Sequence, residues 1–142
     1  MKNNNKMFLV TAVILALLFI VAHTTFTGPR PIDVQKYNMD ITVALGKQIG
    51  FNVDNDALHF GTVPVNQGYV AIRDVMITNG EQKTTVQLLA TGVMSKWVGV
   101  GQNNFTMEPK QTQLVNVTVT IPEGTTIGKY TGTFIIEFFK AE

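Results

Sequence analysis

The 142-residue chain contains no cysteine, and that absence removes disulfide frameworks, thiolate metal sites and cysteine nucleophiles together. Serine is almost missing as well: Ser95 stands alone, with no His or Asp beside it in a nucleophile elbow. Histidine occurs twice, at His23 and His59. His23 ends an apolar stretch, so the rest of the chain holds one imidazole, which between Leu58 and Phe60 reads as a strand-face residue rather than a base or ligand. Asp54-Asn55-Asp56 begins like a calcium loop, but Ala57, Leu58 and His59 follow, with no Gly at position six and no Glu at position twelve; an EF-hand is rejected. Gly99-Val100-Gly101 opens no helix, so no phosphate cradle is expected. These gaps predict a protein that is not an enzyme and takes no cofactor or metal.

Charge is also sparse, at 15% of residues. Setting Lys2 and Lys6 aside from the eleven Lys and Arg leaves nine against ten Asp and Glu, so the part beyond Thr27 is nearly neutral. No basic stripe interleaved with aromatics appears, which argues against a nucleic-acid partner.

What the chain does have is a long apolar run, Met7 to Ala22, free of charge, Gly and Pro. As a helix these residues would reach about 24 Å, and extension through His23-Thr24-Thr25-Phe26 brings the span close to the ~30 Å hydrocarbon core. The Thr hydroxyls can bond back to helix carbonyls, and a neutral His is tolerated at an interface. The rival reading is a cleaved signal peptide, but Val21-Ala22-His23-Thr24-Thr25 lacks an Ala-x-Ala pattern, and Phe19 and Ile20 are bulky where the peptidase wants small side chains. A type IV pilin leader is excluded because Lys6 is followed by Met7. Lys2 and Lys6 place the N-terminus on the cytoplasmic side by the positive-inside rule. The expected organisation is a cytoplasmic start at 1–6, a single membrane-spanning helix at 7–26, a linker at 27–39 stiffened by Pro29 and Pro31, and an extracytoplasmic domain at 40–142.

Beyond the anchor no helical stripe is visible. Short β-type runs separated by turn residues predict strands at Asp40–Leu45, Ile49–Val53, Leu58–Phe60, Gly68–Thr78, Lys83–Thr91, Trp97–Val100, Asn104–Met107, Thr112–Ile121 and Lys129–Phe139. The breaks fall at Gly46-Lys47, Asn55-Asp56, Asn66-Gln67-Gly68, Asn79-Gly80, Gly101-Gln102 and Pro122-Glu123-Gly124. The clearest alternation sets Val115, Val117, Val119 and Ile121 against Leu114, Asn116, Thr118 and Thr120. Tyr130, Phe134, Ile136 and Phe138 share one face of the last run with Gly132, while Ile135 and Phe139 make the other face partly apolar, so this strand is either central or covered. Tyr130-x-Gly132 leaves room for a ring or a backbone to pack closely. Trp97 reads as a plug between sheets. The fold class is all-β, a two-sheet sandwich of about seven to nine strands.

Leu58-His59-Phe60-Gly61-Thr62-Val63-Pro64 and Arg73-Asp74-Val75-Met76-Ile77-Thr78-Asn79 resemble the opening of immunoglobulin-like domains of the major-sperm-protein-like and ciliary Ig-like group. Leu88-Leu89-Ala90-Thr91-Gly92, Trp97-Val98, Val115 to Pro122 and Gly128-Lys129-Tyr130-Thr131-Gly132 are similar to Ig-like repeats of archaeal and bacterial surface proteins. The likeness covers residues 55–139 and implies a spacer, adhesive module or assembly partner without catalytic residues. The overall style of the chain suggests an archaeal source. The archaellum stator proteins share the layout of one helix before a β-sandwich, although no motif here is specific to them.

Two sequons, Asn104-Phe105-Thr106 and Asn116-Val117-Thr118, make Asn104 and Asn116 candidate N-glycosylation acceptors. Two functional classes remain. One is an anchored structural module at the cell surface that pairs with an envelope protein, a surface-layer protein or a membrane complex. The other is a carbohydrate- or calcium-dependent binding module, which would need an exposed aromatic platform or a carboxylate cluster.

Overall fold

The computed structural model describes residues 28–46, 57–65 and 68–141. The expected membrane helix at 7–26, the expected strand Ile49–Val53 and the Asp54-Asn55-Asp56 loop lie outside the described residues. No helix among the described residues is long and apolar enough to cross a membrane.

Eight strands make up the described part: β1 (Asp33–Ala44), β2 (Leu58–Pro64), β3 (Val70–Thr78), β4 (Thr84–Gly92), β5 (Val98–Val100), β6 (Phe105–Met107), β7 (Thr112–Thr120) and β8 (Gly128–Lys140). A short 3-10 helix, Val93–Lys96, joins β4 to β5. The all-β expectation holds. The strands form a five-stranded sheet in the order β2-β1-β8-β4-β6 and a three-stranded sheet in the order β3-β7-β5.

The alternation in β7 works as the sequence predicts: Val115, Val117 and Val119 point inward, joined by Val75 and Ile77 from β3. They meet Met39, Ile41 and Val43 of β1, Val86 and Leu88 of β4, and Phe134, Ile136 and Phe138 of β8 in one continuous core. Each fully buried side chain of this size contributes about 1.5–3 kcal/mol relative to exposure, so this shared cluster is what holds the two sheets face to face.

β8 is central, flanked by β1 and β4. Its outward residues Ile135 and Phe139 are half-buried because neighbouring strands crowd both sides. β1 starts at Asp33, seven residues ahead of the expected Asp40, so residues 33–39 of the expected linker are strand. The reason is pairing: Asp33 to Val43 run antiparallel to Gly128–Phe138, and Ile32 N–H extends the ladder to the Phe138 carbonyl at 2.7 Å. The polar run Asp33-Val34-Gln35-Lys36 carries little hydrophobic pattern, and only the partner strand makes it β.

β2 is a parallel edge strand against β1. The register advances by two residues on β1, from Asp40 to Thr42, while β2 advances by three, from His59 to Thr62. This bulge is seated at Gly61, whose φ of +80° is open to glycine and strained for other residues. It lets Phe60 and Val63, three apart, both point into the core, which is the physical role of the Phe-Gly pair.

Candidate interaction surface

The outer face of the three-stranded sheet is built by the residues that alternate with its core set. On β3 these are Val70, Ile72, Asp74, Met76 and Thr78, and on β7 they are Thr112, Leu114, Asn116, Thr118 and Thr120. Cross-strand register puts Ile72 opposite Thr118, Asp74 opposite Asn116 and Met76 opposite Leu114. Ile72 is 61% exposed, Met76 69% and Leu114 58%; Met76 and Leu114 are cross-strand neighbours, and Ile72 stands on the far side of the Asp74–Asn116 pair. In their midst the Asn116 amide donates to the Asp74 carboxylate. Asp74 is the single charge among these outward positions.

The outer face of the five-stranded sheet differs. Asp40 of β1 lies opposite His59 of β2, and the carboxylate and the imidazole Nδ1 are 2.8 Å apart. Lys129 of β8 approaches the same carboxylate oxygen at 3.6 Å. Arg73 Nε donates to the His59 carbonyl at 2.6 Å, tying β3 to the edge strand of the other sheet. The lone imidazole of the domain therefore sits on a strand face, as its neighbours imply, and its partners make it a clip on β2. Asp40→Ala should cost about 1 kcal/mol, because the pair is only part-buried, and should hasten amide exchange in β2 more than in β4; urea titration and hydrogen exchange check this.

Trp97 is half-buried against the core, its ring 4.7 Å from that of Tyr130 and tilted by 59°. Tyr130 donates its hydroxyl to the Thr126 carbonyl at 2.7 Å. The close approach expected at Gly132 is made by the Thr91 backbone and Met39, while the Tyr130 ring turns to Trp97. Ser95 lies in the 3-10 helix Val93–Lys96. Among the described residues no group of three or more His, Asp or Glu side chains converges as a metal site.

The two sequons fall in different settings. Asn104 is exposed, with a φ of 53°, immediately before β6. Asn116 is exposed on central β7.

Two structural asparagines carried no strong sequence signal. Asn79, read only as the end of a strand entering a turn, is 5% exposed. Its Nδ2 donates toward the carbonyls of Gln82 at 2.9 Å, Met107 at 3.1 Å and Glu108 at 2.9 Å. Its Oδ1 accepts from Gly80 N–H and from the Thr84 hydroxyl. Asn103 bonds both the N–H and the carbonyl of Leu88 through its side chain, acting as a surrogate peptide unit where β6 leaves β4. The one available hint was Asn placed at turns, where its amide can replace backbone partners.

No protein-family model matches the chain, and no curated protein matches it.

Proposed function

We propose that this protein is a non-enzymatic, membrane-anchored structural and protein-interaction module of the cell envelope, with an Ig-like sandwich held outside the cytoplasm by a helix at 7–26. The observation that carries this reading is the outer face of β3 and β7, where Ile72, Met76 and Leu114 surround Asp74. Apolar groups displayed together lose their exposure only when a second surface covers them. The partner is a protein presenting aliphatic or aromatic side chains around a Lys or Arg that meets Asp74. A second copy of the same face fits less well, because a two-fold axis near its centre would bring two Asp74 carboxylates together. The apolar run and its basic start support the anchor, and the two-sheet arrangement supports the Ig-like reading.

The test uses the full-length chain in its membrane, with a photocrosslinker at Leu114 or, as control, at Gln87 on the other sheet's outward face. Crosslinking to one protein from Leu114 and not from Gln87 is expected, weakened about ten-fold or more by Asp74→Lys or Ile72→Ser. Both substitutions should leave the melting temperature within about 3 °C, since they change solvated positions. Equal crosslinking from both faces would count against the reading, as would stabilisation by sugars or calcium without any protein partner.

A further inference from the structure

We propose that Asn104, and not Asn116, is the acceptor of an N-linked glycan; this rests on the extracytoplasmic placement proposed above. Both asparagines open an Asn-x-Thr sequon and both are exposed, so sequence and exposure do not separate them. Their hydrogen bonds do.

In the second sequon both reacting side chains are engaged. Asn116 donates its amide to Asp74, and Thr118 donates its hydroxyl to the Gly99 carbonyl at 3.2 Å. The backbone is held on both sides as well, since β7 is central: Asn116 pairs with Asp74, and its carbonyl accepts from Gly101 N–H at 2.9 Å. A transferase would have to extract the middle of a three-stranded sheet to reach it.

The first sequon is open. Asn103, one residue earlier, takes over the bonding to Leu88, and Asn104 turns out of the ladder at its left-handed φ. Among the described residues the Asn104 side chain makes no hydrogen bond, and neither does the Thr106 hydroxyl. Phe105 is buried between them and fixes the segment, while Asn104 and Thr106 are both solvent-facing. β6 is a three-residue edge strand paired only with β4, so one side of the sequon backbone faces solvent.

The chemistry is a group transfer with no redox step. The Asn104 amide nitrogen attacks the anomeric carbon of a polyprenyl-phosphate-linked oligosaccharide bound to a membrane transferase. The C–N bond forms, the C–O bond to phosphate breaks, and the amide proton leaves with the lipid phosphate. The attached glycan would stand beside the β6 edge and hinder strand addition there, leaving the β3–β7 face open.

The experiment expresses the full-length chain in a host that carries a membrane oligosaccharyltransferase specific for Asn-x-Thr, with peptide mapping by mass spectrometry. Because the chain has no cysteine, a Glu123→Cys variant labelled by a membrane-impermeant thiol reagent reports placement in the same cells. The expected result is labelling, a glycan on the peptide containing Asn104, loss of it in Asn104→Gln and Thr106→Ala, and retention in Thr106→Ser and Asn116→Gln. Labelling with a bare Asn104, or with the glycan on Asn116, overturns the assignment and leaves the placement standing. Failure to label overturns the placement and the modification together.

Discussion

Asn79→Asp should lower the unfolding free energy by about 3–5 kcal/mol, read as a large drop in the urea midpoint at unchanged slope. The side chain joins two corners at once. It sits in the β3–β4 connection, which passes from one sheet to the other, and its amide reaches the Met107 and Glu108 carbonyls, where the chain passes back between sheets from β6 toward β7. Backbone bonds run the same way, from Asn79 N–H to the Gln111 carbonyl at 2.8 Å and from Lys110 N–H to the Gly80 carbonyl at 2.8 Å. An aspartate at this position keeps the shape and the acceptor for Thr84 and Gly80, but it aims a carboxylate oxygen at three carbonyl oxygens in a nearly buried place. Asn79→Ala removes the same bonds without the repulsion and should cost less, about 2–3 kcal/mol. A loss below about 1 kcal/mol for both would mean that the corner is held by its backbone bonds alone.

Gly132→Ala should cost about 2–4 kcal/mol although it adds one methyl group, with a fall in melting temperature of about 10 °C or more. A β-carbon at this position would stand 2.7 Å from the Thr91 carbonyl oxygen, 3.0 Å from Met39 Cε and 3.4 Å from Met94 Cβ. Met39 can swing away at its flexible end. The Thr91 carbonyl belongs to the backbone of β4, and moving it means parting β4 from β8 at the Gly92–Gly132 pair. Gly92 is constrained in the same place, with a φ of +85° and the Gly132 Cα 3.0 Å from where its own β-carbon would be. Gly128→Ala is the control: its nearest neighbour would be the edge of the Tyr130 ring at 4.0 Å, and its cost should stay within about 0.5 kcal/mol. Similar losses for the two substitutions would show that contact with the Thr91 carbonyl does not set the cost, since the restriction that alanine places on the unfolded chain favours folding at both positions.

Strand positions were legible where one face is buried and the other solvated, because a period of two leaves its mark on composition. β7 is the clearest case, with valines inward and polar residues outward apart from Leu114. That exception is informative: Leu114, like Ile72 and Met76, breaks the pattern on the solvent side, and a residue that breaks a local rule without gaining burial points to a surface with another use. β1 is legible only from Asp40 on, since Asp33 to Asn38, with Val34 and Tyr37 alone among polar residues, shows no apolar alternation and becomes strand by pairing with β8. The candidate site was half legible in the same sense. The sequence showed the outward residues of β7, but that β3 lies beside it, placing Met76 against Leu114 and Asp74 against Asn116, depends on contacts between segments about forty residues apart.

Legible in the sequence are the all-β class, the apolar alternation of β7, the closure of cysteine chemistry and the apolar run from Met7 to Ala22. Those properties follow from composition and short-range periodicity, which act within a few residues. Long-range pairing sets which strands are neighbours, the parallel run of β1 and β2 across a bulge at Gly61, the bridge that Asn79 makes between two corners, and the settings of the two sequons, Asn116 bonded within a ladder and Asn104 just ahead of an edge strand. Each of these depends on where a backbone donor or acceptor finds its partner, and in a β-sandwich those partners come from distant parts of the chain.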